Sequence, residues 1–104
     1  MTITSQPFVV EVMSGAAGLV VRVAGELDLA TAPNLDALLV ALDADVVVDL
    51  ADVTFVDATG IAALVAGRER AAQRRRSFVL RSPTARIAKV LHLTGVDQDM
   101  PVEP

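Results

Sequence analysis

The chain has 104 residues, of which 53% are hydrophobic and 3% aromatic, with no Cys, Trp or Tyr and a formal net charge of −4. That length suits one domain able to bury roughly two thirds of its unfolded surface, with a core built from Val, Leu, Ile and Ala in regular packed layers. Disulfides, thiolate metal sites and cysteine nucleophiles are excluded; the negative balance disfavours direct binding to nucleic acid or anionic membranes, which rests on neutralising phosphates.

The opening MTITSQPFVV lacks a basic segment followed by a long apolar run, so no secretory leader is expected. "FVVEVM" and "GLVVRVAG" are rich in β-branched residues and predict two strands, joined as an antiparallel hairpin by a turn over Gly15 to Gly18. In "TAPNLDALLVALD", Leu35, Leu38, Leu39 and Leu42 recur at i, i+3, i+4 and i+7, the apolar stripe of an α-helix. Thr31 or Ala32 starts that helix, Pro33 sits in its tolerant first turn, and Asp36 lies near its positive end. "VVVDL" reads as a short central strand buried on both faces, followed by the connection "ADVTFVD".

The second helix places Ile61, Leu64, Val65, Arg68 and Ala72 at helical spacing, while Ala62, Ala63, Ala66 and Gly67 leave another face thin, suited to close packing or to a partner. "SFVLR" predicts a strand and "SPTARIAKVLHLTG" a third helix, with Ser82 as cap, Pro83 at the first position and Gly95 at the end. "VDQDMPVEP" is expected to be a loose tail or a short last strand. The whole is a single α/β domain over residues 1–104, its core about 7–96 and 97–104 a flexible tail, with a mixed β-sheet of four to five strands and helices mainly on one face. Helices between the later strands imply parallel pairing and right-handed crossovers there. No apolar stretch reaches the ~20 residues of a bilayer span, so no membrane insertion is expected, and a reducing cytoplasm is the expected location.

Charge is uneven. Nine acids and Arg22 precede Ile61, a balance of −8, whereas eight bases and four acids follow, a balance of +4. The asymmetry predicts two surfaces of different sign, although "RERAAQRRR" also reads as a solvated helix end whose cations suit the macrodipole.

The chemistry concentrates in "FVDATG", at the start of the second helix. Two readings stand side by side. Asp57 or Thr59 caps the helix by accepting an orphan amide proton, with Gly60 permitting close backbone approach. Alternatively, Thr59, the only hydroxyl in "DATG", accepts a phosphate of about −1.5 to −2 charges at a helix N-terminus.

"VVVDLADVTFVDATGIAALVAGRERA", preceded by "GELDLATAP", resembles the STAS family, and within it the small stand-alone anti-sigma factor antagonists; the likeness runs from the hairpin to the third helix. The resemblance implies an anti-anti-sigma factor that binds an anti-sigma factor, itself a histidine-kinase-like serine/threonine protein kinase, and so releases a sigma factor for transcription. It implies that the kinase phosphorylates Thr59, blocking binding, and that a phosphatase restores it. The implied partner surface comprises Asp57, Ala58, Thr59, Gly60 and Ile61, with Glu26, Asp28 and Thr31 nearby; for the last three, turn and cap roles are equally open. Family members often carry two hydroxyl residues between the aspartate and the glycine, whereas Ala58 leaves one. Threonine is also stiffer at χ1 than serine, so a serine-selective kinase would leave the protein constitutively binding.

Enzymatic readings find little support. His92 lies beside Leu91 and Leu93 with no evident carboxylate partner and reads as a surface or helix-end residue rather than a general base. Neither glycine-bearing segment has the spacing of a nucleotide-binding motif, and no catalytic residue, cofactor or metal is expected. The rival within the family is a non-switching scaffold subunit of a transporter, lipid-export or signalling complex.

Overall fold

Valine-rich runs form the sheet. In the computed structural model, which describes residues 7–104, β1 (Val9–Gly15) and β2 (Gly18–Leu27) make the antiparallel hairpin, followed by α1 (Ala32–Ala41), β3 (Val46–Val56), α2 (Ala58–Gln73), β4 (Phe78–Arg81), α3 (Ala85–Leu93), α4 (Val96–Asp99) and β5 (Val102–Glu103). The expectations for residues 1–6, that they carry no leader and belong to the same domain, lie outside the described residues.

The five strands lie in chain order, β1-β2-β3-β4-β5, and all pairs after the hairpin are parallel. Right-handed crossovers that always step in one direction put their helices on one face. Burial follows: Val46, Val48 and Leu50 are buried, while Val47 and Asp49, pointing the other way, are half-exposed. The expectation that this strand is buried on both faces is therefore corrected.

On the open face, the register aligns Glu11, Arg22, Asp49, Arg81 and Glu103, one from each strand. Charges alternate along this row, so each residue has opposite-sign neighbours across the ladder. Arg22 lies 3.6 Å from Glu11 and 2.6 Å from Asp52, and Arg81 lies 3.1 Å from Asp49. Burial opposes ionisation of Asp49, yet the Ala51 N–H and the Arg81 guanidinium together outweigh it and hold the carboxyl below its ordinary range. The Arg22 guanidinium is pushed up, chiefly by its hydrogen bond to Asp52.

Several local expectations change. The segment read as a connection, "ADVTFVD", continues β3 as far as Val56. Register shifts against β2 occur between Arg22 and Ala24 and between Gly25 and Glu26. Each inserts an extra β3 residue, so burial passes from Val46, Val48 and Leu50 to Val53 and Val56, a break in alternation that hides the strand. On α2 the fully buried residues are Gly60, Ala63, Leu64 and Gly67. Of the bulkier stripe, only Leu64 is fully buried, because the helix lies too close to α1 and the sheet for larger groups. A Cβ on Gly67 would stand 2.9 Å from Leu39 Cδ1 and 3.0 Å from Phe78 Cε2.

At α3 the cap is Thr84, whose Oγ1 accepts from Ile87 N at 3.3 Å, rather than Ser82. Ser82 has φ of 56° and donates its N–H to Glu103 O at 2.9 Å, so it belongs to the end of the sheet, and Pro83 precedes the cap. Residues 97–104 are not a loose tail: Val96 and Met100 are buried, and β5 pairs with β4 at Leu80 and Arg81. The short-strand alternative is the one realised.

The two charged halves interlock instead of facing apart. Arg70 binds Asp36 at 2.6 Å, Arg76 binds Asp43 at 3.1 Å, and Arg74 Nη1 donates to the carbonyls of Leu42 at 3.0 Å and Val40 at 3.3 Å. Much of the arginine run thus holds α2 against α1.

Candidate functional site

Parallel β2 and β3 end side by side, which brings the β2–α1 loop beside the start of α2. Asp57 joins them. As N-cap of α2 it accepts from Gly60 N through Oδ1 at 2.9 Å, the ordinary satisfaction of an orphan helix amide. Its other oxygen, Oδ2, accepts from Leu29 N at 3.1 Å, in the β2–α1 loop. The Asp57 N–H in turn donates to Leu27 O at 3.2 Å. One carboxylate therefore fixes two loops, and the capping reading holds for Asp57 rather than for Thr59.

The β2–α1 loop is also tied internally. Asp28 Oδ1 accepts from Ala30 N at 3.0 Å and Thr31 N at 3.1 Å, while Thr31 Oγ1 reaches Glu26 O at 2.6 Å and accepts from Asp28 N at 2.9 Å. Asp28 and Thr31 thus carry the turn roles expected of such residues. Thr31 is the α1 N-cap by position, but its hydroxyl faces back into the turn and makes no cap bond. Glu26 projects from the end of β2, exposed, opposite Phe55.

Thr59 is the second residue of α2 and half-buried; Ala58 before it is exposed and Ile61 after it is half-buried. Gly60 is buried because a side chain there would strike the Leu27 carbonyl and stand 2.8 Å from Val56 Cγ2. Thr59 lies at the lip of a shallow groove of about 240 Å³ between α1 and α2, lined by Ala32, Pro33, Asp36, Ala62 and Ala66 as well. The thin face of α2 thus serves both roles: Gly67 packs inward, Ala62 and Ala66 line the groove, and the buried Ala63 forms part of its floor.

Two residues that sequence reasoning missed frame this end of the molecule. Leu29 is 73% exposed and Phe55 47% exposed. Each is a large apolar side chain beside the Asp57 clamp, with Glu26, Asp28 and Asp57 around them. Leu29 in an otherwise polar turn was a readable signal; Phe55 was masked by the broken alternation of β3.

The implied partner residues lie at this end of the sheet: Glu26 at the end of β2 with Asp28 and Thr31 in the β2–α1 loop, and Asp57 with Ala58, Thr59, Gly60 and Ile61 at the start of α2. Their arrangement suits docking. Among the described residues no group of three or more His, Asp or Glu is placed to hold a metal. His92 is remote, on α3; contrary to expectation it has a carboxylate partner, with Nδ1 2.9 Å from Asp97 Oδ2, and it is an exposed helix-end residue. Among the described residues no helix is long and apolar enough to cross a membrane.

Comparison with known proteins adds the following. A family model described as "Mlab, STAS domain" matches residues 10–103. The anti-sigma-B factor antagonist of Staphylococcus epidermidis is 33% identical over 86 residues, covering 79% of this chain and 80% of the relative. Among solved structures, an anti-sigma factor antagonist from Mycobacterium paratuberculosis is similar with a TM-score of 0.78 and 31% identity, over 97% of this chain and 91% of that one. The Bacillus cell fate determinant SpoIIAA in its phosphorylated form shares the fold, with a TM-score of 0.69 and 20% identity over 92% and 90% of the two chains.

Proposed function

The chain belongs to the STAS family, and from that premise we propose that it is an anti-sigma factor antagonist: a cytoplasmic, non-enzymatic binding protein that sequesters an anti-sigma factor kinase and so frees a sigma factor. The observation that carries this reading is the position of Thr59. It is the one hydroxyl of the loop, in the first turn of α2, at the mouth of a largely apolar groove and two residues from the Asp57 carboxylate that holds the exposed Leu29. The kinase docks on the loop residues 57–61 together with Glu26, Asp28, Thr31, Leu29 and Phe55.

Phosphorylation of Thr59 ends the interaction. A phosphate carries about −1.5 to −2 charges at pH 7. The helix N-terminus tolerates it within the domain, but at the groove mouth it places a solvated dianion where the partner must seat apolar surface. Two unit charges ~4 Å apart interact by roughly 4 kcal/mol at an effective dielectric of 20, enough to change affinity by orders of magnitude. A phosphatase reverses the step.

Incubation with ATP and a candidate kinase, followed by intact mass measurement, tests the switch. One added phosphate that disappears in Thr59→Ala, with loss of kinase binding on phosphorylation, is the expected result. One observation favours a second reading, a non-switching scaffold subunit: Thr59 is half-buried and stands next to Ala58, leaving no second acceptor. A kinase that binds tightly yet adds no phosphate, with no sigma factor released on binding, would favour that reading over a constitutively binding antagonist.

A further inference from the structure

The outer edge of β1 is open along its length. It is the first strand of the sheet, its described partner is β2 alone, and its 7 residues, VVEVMSG, contain no proline, no lysine and no register shift. Those are the devices that usually blunt an edge against pairing with another chain. The other edge, β5, is only 2 residues long.

The hairpin fixes which main-chain groups of β1 face outward. Gly15 stands opposite Gly18 across a two-residue turn, so this closing pair exchanges both of its hydrogen bonds. Alternation then turns Met13, Glu11 and Val9 toward β2, and Val10, Val12 and Ser14 away from it. The next strand agrees: Leu19 N, one step beyond Gly18, points away from β1 and donates to Asp45 O at 2.9 Å. Among the described residues nothing pairs with the N–H and C=O of Val10, Val12 or Ser14. The side chains are open as well. β1 is exposed from Glu11 to Gly15, with Val12 40% and Met13 43% exposed, so no helix covers it.

We propose that β1 is a homodimer interface: the β1 strands of two copies pair antiparallel about a two-fold axis at Val12, joining the two sheets edge to edge. The strand selects a second copy because its outward groups are symmetric about Val12. That register pairs Val10 with Ser14, Val12 with Val12 and Ser14 with Val10, each pair exchanging two bonds. It also sets Glu11, the one charged residue of β1, opposite Met13 of the second copy, and it brings the two exposed Val12 side chains together on the helix-bearing face, where β-branched cross-strand pairs are favourable. Other registers are worse. A slide of one residue faces outward groups with inward ones; a slide of two either opposes Glu11 to Glu11 or leaves Val10 unpaired. The two-fold axis stands perpendicular to the sheet, so the helices of both copies share one face and the two Thr59 surfaces lie at opposite ends. β1 reaches only as far as Ala24 along β2, which leaves the β2–α1 loop clear. Three strand pairs bury less than the ~800 Å² per partner of tight complexes, so the dimer is weak and forms reversibly.

The test is sedimentation of the full chain from about 10 μM to about 1 mM, the range in which a weak dimer assembles, with amide hydrogen exchange at both ends of that range. Expected is a monomer–dimer equilibrium in which the Val10, Val12 and Ser14 amides slow with concentration, while those of Glu11 and Met13, already bonded to β2, do not change. Val12→Lys and Val12→Glu alter a side chain that is exposed in the monomer, and each should weaken association by roughly tenfold or more, because like charges then stand directly opposite. An equimolar mixture of the two variants should associate at least roughly tenfold more tightly than either alone, since the two-fold register opposes lysine to glutamate. Val12→Pro removes an outward donor without removing a bond to β2 and should also be monomeric. Thr59→Glu should dimerise like the parent, which keeps the test independent of the antagonist reading. Four results would each overturn the proposal: a monomer over the whole range; a dimer equally tight in Val12→Lys; a mixture no tighter than its components; or concentration-dependent protection that falls outside β1.

Discussion

Replacing Asp57 separates the two bonds of its clamp. Asp57→Ala removes the acceptor for Gly60 N at 2.9 Å and the acceptor for Leu29 N at 3.1 Å. Loss of the cap costs about 1 kcal/mol, and loss of a half-exposed hydrogen bond to a charged group about another 1 kcal/mol. The sum of ~2 kcal/mol lowers the Tm of a domain this size by about 10 °C and the urea midpoint by about 1 M. Asp57→Asn keeps an oxygen for Gly60 N but turns its amide nitrogen toward the Leu29 N–H, so about half the loss is expected. Urea unfolding gives the order parent, Asn, Ala. Hydrogen exchange identifies the bonds: the Leu29 amide speeds up in both variants, the Gly60 amide only in Asp57→Ala. If Asn and Ala are equally stable, or if the Leu29 amide is unaffected in both, the carboxylate does not bridge the loops and the account of the site is wrong.

Three other outcomes follow from the packing, the open face and the exposed apolar residues. Gly60→Ala drives a methyl into the Leu27 carbonyl, which cannot yield, whereas Gly67→Ala presses on the Leu39 and Phe78 side chains, which can; chemical denaturation should show a loss of ~3 kcal/mol or more for Gly60→Ala and ~1 kcal/mol for Gly67→Ala, where helix propensity offsets part of the overpacking. The depressed Asp49 carboxyl has a folded-state value below its unfolded one, so its contribution is present above about pH 4 and lost as pH falls through the folded value. Asp49→Asn should accordingly be less stable near neutrality and show a flatter acid limb in urea midpoint against pH; an unchanged acid limb would contradict the depression. Leu29→Ala and Thr59→Glu should each leave the urea midpoint nearly unchanged, by less than ~0.5 kcal/mol for these surface changes, while weakening capture of the anti-sigma factor at least tenfold by calorimetry; parent-like affinity in both would remove this surface from the interface.

The hairpin, α1 and the start of α2 were legible because their signals are local. Gly15 to Gly18 mark a turn, the leucines of α1 repeat at helical spacing, and Asp57 precedes a helix in a residue type that caps. Strand β3 was legible only to Leu50, since the extra residues opposite β2 break the alternation on which strand recognition depends. The N-cap of α3 was displaced from Ser82 to Thr84 because β5 claims the Ser82 amide, and β5 itself rests on Met100 and Val96 being drawn into the core.

Short-range pattern in the chain thus determined the fold class, the order of its main elements and the loop in which Thr59 sits, because periodicity and capping depend on residues within a few positions of one another. Tertiary packing alone decided the rest: Asp57 reaches Leu29 across 28 positions, and Arg70 reaches Asp36 across 34. Such partners meet only after parallel strands set the register, and the same event exposes Leu29 and buries Gly60. Which carboxylate clamps and which apolar side chain stays outside are consequences of that register.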